Sequence, residues 1–141
     1  MEQINDCLYI GGLREAGRPS TYSDNDITAV LNLCSLDPVR AYPEYLIIAR
    51  QPLIDGEQNK LDDFELAVEQ LFELLNREEQ VFVHCGAGVS RSCAVTATAL
   101  AYEYGTCIDD AVERIAQKKP DVNPHPTLLE QARQTCSRMS E

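Results

Sequence analysis

The sequence predicts an α/β fold: a mostly parallel central sheet of about four to five strands, flanked by helices. Two observations carry this. Short, nearly continuous apolar runs (TAVLNL, YLIIA, VFVH) have the character of strands buried on both faces. Between and after them come longer stretches whose apolar residues recur at helical spacing, and strands alternating with helices give a sheet covered by helical layers. Strands are predicted at residues 7–10, 28–33, 45–49 and 80–84. A helix over 61–77 follows from Phe64, Val68, Leu71, Phe72 and Leu75 on one face with acids outside. A second spans 92–104, ended by Gly105. A third covers 109–119, before Pro120. A fourth opens at Pro126, with Leu128, Leu129, Ala132 and Cys136 on one face. The 141 residues are enough for one domain, and no linker, repeat or domain boundary interrupts them.

Composition narrows the function. Apolar residues make up 44% and charged residues 25%, the balance of a soluble globular protein. No apolar stretch approaches membrane-spanning length, and the N-terminus lacks a basic start with a long apolar run, so a cytoplasmic protein is expected. The six cysteines are scattered, several within apolar runs, and are expected as reduced thiols. A net charge of −11 argues against nucleic acid and against anionic membranes as partners, and the many exposed acids suggest a monomer. An anionic substrate must then be drawn by a local pocket against a repulsive overall field.

Such a pocket is written at "VHCGAGVSRS", where a strand ends in a cysteine, a glycine-bearing loop follows, and a helix begins. Gly86 and Gly88 permit tight backbone angles, so the amides of Gly86, Ala87, Gly88, Val89, Ser90 and Arg91 can point inward. The following helix adds the positive end of its dipole, which makes the loop an anion cradle. Arg91 closes it with a planar fork suited to two phosphate oxygens. The same surroundings stabilise a thiolate at Cys85, a nucleophile aimed at phosphorus. A nucleotide-binding P-loop would need Gly-Lys-Ser/Thr, which is absent, and a zinc site would need ligands beyond His84 and Cys85. A structural cysteine in a buried strand leaves the glycines and the arginine unexplained.

Residues 84–92, His-Cys-Gly-Ala-Gly-Val-Ser-Arg-Ser, resemble the signature His-Cys-x-x-Gly-x-x-Arg-Ser/Thr of cysteine-dependent protein phosphatases, and the Ser-Arg-Ser ending resembles the dual-specificity branch. "DCLYIGG", "ITAVLNLCS" and "KKPDVNPHPTLLEQ" are similar to further segments of that family, although His125 stands where many relatives carry asparagine. The resemblance implies a phosphatase-like fold and hydrolysis through a phosphocysteine, with no metal or cofactor. It also implies a general acid about thirty residues before the cysteine. Asp55, 30 before Cys85 in "QPLIDGEQNK", is that candidate; its rivals are Asp62 and Asp63, which suit a helix N-terminus, and Glu57. By the same resemblance Ser92 hydrogen-bonds the Cys85 sulfur and helps it leave, His84 orients the loop, and Asn32 braces it from the adjacent strand. An N-terminal helix position for Ser92 and an ordinary strand-end asparagine at Asn32 are the plainer roles. Cys34 follows the 28–33 strand, beside the Cys85 strand in a parallel sheet, and is a candidate disulfide partner under oxidation, as is Cys93; an ordinary buried thiol is its plainer role.

So short a chain leaves little length for deep tyrosine-recognition walls, which suggests a shallow cleft admitting phosphotyrosine and phosphoserine or phosphothreonine of protein substrates. Lipid or nucleotide phosphates are the second enzymatic alternative. A phosphate-binding module without turnover and a rhodanese-like sulfurtransferase are the alternatives of other classes.

Overall fold

The computed structural model describes residues 1–141. Five strands form one sheet: β1 (Glu2–Gln3), β2 (Leu8–Gly12), β3 (Ala29–Asn32), β4 (Ile47–Arg50) and β5 (Val81–Cys85), in the order β1-β2-β5-β3-β4. β5 is the centre. It runs parallel to β2, with Leu8 opposite Val81 and Gly12 opposite Cys85. It also runs parallel to β3, with Asn32 opposite His84. β4 continues the parallel sheet beyond β3, and only β1 is antiparallel. Every residue of β2, β3 and β5 is buried, which explains their unbroken apolar runs.

Alternation along the strands feeds two cores. Leu8, Ile10, Leu31, Val81 and Val83 join the larger one, beneath helices α3 (Leu61–Asn76), α4 (Arg91–Tyr104), α5 (Ile108–Lys118) and α6 (Pro126–Met139). Tyr9, Val30 and Phe82 face the other way, into a smaller core with Ala16, Tyr22 and Ile27. That side is covered by the short helices α1 (Leu13–Ala16) and α2 (Pro19–Ser23). α4 is the axis of the helical layer. Residues 92–101 are all buried, and the alanine, serine and threonine side chains there let α3, α5 and α6 pack around it. It ends at Gly105, left-handed at φ 66°, whose N–H donates to the carbonyl of Ala101.

Two features depart from the sequence expectation. The run YLIIA reads as a strand buried on both faces. β4 is instead the edge of the sheet, with Tyr45 66% and Ile47 39% exposed. α1, α2 and β1 are not predicted, because two to five residues are too few to display a period.

Candidate active site

The parallel strands end together, and the site lies at their carboxyl ends. Leu33 N–H donates to the His84 carbonyl at 2.9 Å, so β3 accompanies β5 to its last residues, and Cys85, 2% exposed, closes β5. Residues 86–90 then turn sharply into α4, whose first residue is Arg91.

The turn is fastened on both sides. Leu13 N–H donates to the Gly86 carbonyl at 2.8 Å and Asn123 N–H to the Val89 carbonyl at 2.7 Å, so these two carbonyls are turned away from the cradle. Gly88 has φ 77°, and a Cβ there would stand 2.5 Å from the carbonyl carbon of Gly11. A Cβ on Gly12 would stand 2.7 Å from the Gly86 oxygen. The "GG" closing β2 is therefore the platform on which the loop rests, backbone against backbone. Gly86 has no positive φ; its missing side chain makes room for Arg91, whose Nη2 would lie 2.9 Å from a Cβ. The tight-turn requirement thus falls on Gly88 alone.

None of the N–H groups of residues 86–90 donates to another group of the protein. Arg91 makes one hydrogen bond, Nη1 to the Leu53 carbonyl at 3.2 Å, and its buried Nε has no partner. Unpaired donors on five consecutive residues and a guanidinium with spare N–H groups, beside the N-terminus of a helix, form an anion site. Ser92, fully buried in the first turn of α4, holds its Oγ 3.4 Å from the Cys85 sulfur.

A buried histidine and a half-buried tyrosine support the nucleophile from behind. His84 is fully buried, and Tyr42 Oη lies 2.7 Å from its Nε2. Burial pushes the His84 pKa down to about 4 and the Tyr42 pKa up to about 12, so both are neutral near pH 7. His84 is thereby a neutral strut. Asn32 departs from expectation. Its Nδ2 donates to the Leu36 carbonyl at 3.1 Å, and its Oδ1 accepts from Cys34 N–H at 2.9 Å. It braces the loop after its own strand, and no hydrogen bond joins it to residues 86–91. A strand-end amide serves the nearest unpaired backbone, and here that is the β3–β4 connection. Cys34, 7% exposed, donates its S–H to Asn32 Oδ1 at 3.0 Å and to the Leu36 carbonyl at 3.2 Å. Burial raises its pKa, and the proximity of Cys85 raises it further against the lowering effects of that Leu36 bond and of Arg91. Cys93 is fully buried, its thiol pushed up to about 12 by desolvation and then by Cys85.

Among the acids, Asp55 reaches the site. It is exposed on the loop of residues 51–60, and Ser90 Oγ donates to its Oδ1 at 2.5 Å. The same Ser90 oxygen accepts the N–H of His125 at 2.9 Å. Asp62 and Asp63 sit in the first turn of α3, complementing its dipole. His125 is the N-cap of α6, its Nδ1 accepting from Thr127 N–H at 3.1 Å, a bond an asparagine side chain also makes at such a position. No group of three or more His, Cys, Asp or Glu side chains converges to hold a metal ion. A cavity of about 920 Å³ lies along α3 and the C-terminal ends of α4 and α6 and contains none of these residues. Sequence reasoning missed Gly11, Gly12, Tyr42, Asn123 and the Ser90 side chain; of these, only the paired glycines at a strand end carry a local signal.

A family model described as the dual specificity phosphatase catalytic domain matches residues 8–137. The chain belongs to that family. It is similar to the tyrosine-protein phosphatase yvh1 of Schizosaccharomyces pombe, 29% identical over 133 residues, covering 94% of this chain and 40% of that protein. Human dual specificity protein phosphatase 18 is 27% identical over 132 residues, 93% of this chain and 70% of that one. The crystal structure of human DUSP28 superposes with a TM-score of 0.86 at 20% identity, over 99% of this chain and 98% of the other. This dual specificity phosphatase domain therefore spans less than half of the fission-yeast relative's length.

Proposed function

We propose that the protein hydrolyses phosphotyrosine and phosphoserine or phosphothreonine of proteins through a phosphocysteine intermediate. The observation that carries this is the row of unpaired N–H groups around Cys85, closed by Arg91 on one side and reached by Asp55 on the other. Three phosphoryl oxygens are held by the loop amides and the guanidinium, which match the charge spread over them in the transition state. The Cys85 thiolate attacks phosphorus in line, the bond to the ester oxygen breaks, and Asp55 delivers its proton to that oxygen. Water then attacks the phosphocysteine, giving a proton to the Asp55 carboxylate. The Cys85 sulfur leaves as thiolate, stabilised by the Ser92 hydroxyl as a hydrogen-bond donor.

Phosphate release from matched phosphotyrosine and phosphothreonine peptides is the test, with Cys85→Ser alongside. Turnover of both peptides is expected, with the substitution lowering it by roughly 10⁴-fold or more. Turnover of phosphotyrosine alone would narrow the substrate class while keeping the mechanism. No turnover of either by folded protein would overturn the reading in favour of lipid or nucleotide phosphates, or of binding without catalysis.

A further inference from the structure

Asn59 and Gln131 are polar, 72 residues apart, and yet only 5% and 8% exposed, because they bury each other. Asn59 Nδ2 donates to Gln131 Oε1 at 2.8 Å, and Gln131 Nε2 donates back to the Asn59 carbonyl at 2.6 Å. The remaining acceptor of the Asn59 side chain, Oδ1, takes the N–H of Ile54 at 2.8 Å. Ile54 immediately precedes Asp55. The chain of contacts thus runs from α6 through two side-chain amides to the residue before the acid.

The two ends of the Asp55 loop are held in different ways. On its β4 side, Leu53 is fixed by backbone: its N–H donates to the Leu33 carbonyl at 2.8 Å, and its carbonyl accepts from Arg91. On its α3 side, Asn59 is fixed by Gln131. Between them Asp55 is exposed, and its one side-chain hydrogen bond is with Ser90. α6 therefore meets this loop twice. At its start, His125 N–H binds the Ser90 oxygen that in turn binds Asp55. Six residues further on, about 9 Å along the helix axis, Gln131 clamps Asn59.

We propose that Asn59 and Gln131 are positioning residues for proton transfer: they hold the loop so that the Asp55 carboxyl stands over the leaving oxygen. This rests on the reading of Asp55 as the general acid. A staple that merely stabilised the fold would weaken all reactions alike, or none. A staple that positions the acid must matter in proportion to how much the leaving group needs a proton.

The test compares kcat on two small aryl phosphates, one releasing an acidic nitrophenol and the other releasing unsubstituted phenol, for Gln131→Leu, Asp55→Asn and the double variant. Thermal melting shows that each is folded. Gln131→Leu is expected to leave the nitrophenyl ester within about 2-fold and to lower kcat on the phenyl ester about 10- to 100-fold, with KM unchanged. Asp55→Asn is expected to show the same selectivity at larger amplitude, and the double variant to be no slower than Asp55→Asn, because once the acid is absent its positioning no longer matters. Gln131→Glu keeps the acceptor for Asn59 Nδ2 and loses the donor to the Asn59 carbonyl. It is expected to fall between wild type and Gln131→Leu, and it serves in its place if the leucine variant fails to fold. Equal losses on both esters, no loss, or an additional loss on top of Asp55→Asn would overturn the inference. If Asp55→Asn itself shows no dependence on the leaving group, the acid assignment fails and the positioning role falls with it.

Discussion

The two loops that meet at the site are built on opposite principles. Residues 86–90 are held by backbone: two outward carbonyls bonded to Leu13 and Asn123, a left-handed Gly88, and a glycine pair in β2 against which no Cβ fits. Residues 54–60 are secured largely by side chains, through Asn59, Gln131 and the single contact from Ser90. The first loop is fastened by main chain along its whole length, as suits a cradle for a fixed anion. The second is fastened at its ends while its exposed tip carries the acid, as suits a group that must approach leaving oxygens of different shapes.

Breaking the backbone-held loop has the largest effect. Gly88→Ala forces a Cβ to 2.5 Å from Gly11 at φ 77°. The expected loss is about 3–5 kcal/mol of stability, with loss of turnover, measured by denaturant unfolding and by phosphate release. A Tm within about 2 °C of wild type would mean that the loop yields far more easily than its packing implies.

Next in size is the strut beneath it. His84 has its pKa lowered by burial to about 4, below the ordinary ~6.5 of the unfolded chain. The unfolded state therefore binds the extra proton first as pH falls. Stability from this group is complete above pH ~6.5 and is lost between there and about 4, by about 3 kcal/mol in total. The unfolding free energy measured across that window should fall more steeply for wild type than for His84→Asn; parallel curves would show that His84 is not held neutral.

The oxidation prediction concerns the neighbouring strand end. Peroxide converts the Cys85 thiolate to a sulfenic acid, releasing hydroxide, and the Cys34 thiol then displaces water to form a disulfide. Because the Cys34 pKa is raised by burial and its S–H is engaged by Asn32 and Leu36, this second step should be slow. Mass spectrometry after mild peroxide is expected to show a 34–85 link and its loss in Cys34→Ala. Irreversible oxidation of Cys85 without that link, at equal rates in both proteins, would remove Cys34 from the chemistry.

The smallest effect belongs to the side-chain-held loop. A Cβ on Gly56 meets only Gln58 Oε1 at 3.4 Å and Ile54 Cγ2 at 4.0 Å, and its φ is not positive. Gly56→Ala should change stability by less than about 1 kcal/mol, in the stabilising direction. A loss as large as that at Gly88 would erase the contrast between the two loops.

This contrast also explains what the sequence disclosed. Gly88 and Arg91 answer local demands of a tight turn and an anion, so they appear as a compact pattern between residues 84 and 92. β2, β3 and β5 were legible because burial on both faces leaves unbroken apolar runs. β4 has the same composition, but whether a strand is central or at the edge depends on its neighbours and not on its own residues. Of the two roles open to Asn32, its hydrogen bonds fall in its own loop, because the partner of a strand-end amide is decided by the path of the chain after it. Asn59 and Gln131 were invisible because a contact across 72 residues leaves no trace in spacing.

The backbone-on-backbone seat of residues 86–90 on Gly11 and Gly12 has a consequence for altering what the site accepts. A seat without side chains offers nothing to exchange, so the floor of the site is closed to redesign. Selectivity has to be rewritten at the surrounding rim, where Ile54, the neighbour of Asp55, is 52% exposed. Substitutions at Ile54 would vary recognition while leaving the chemistry of Cys85 and Arg91 untouched.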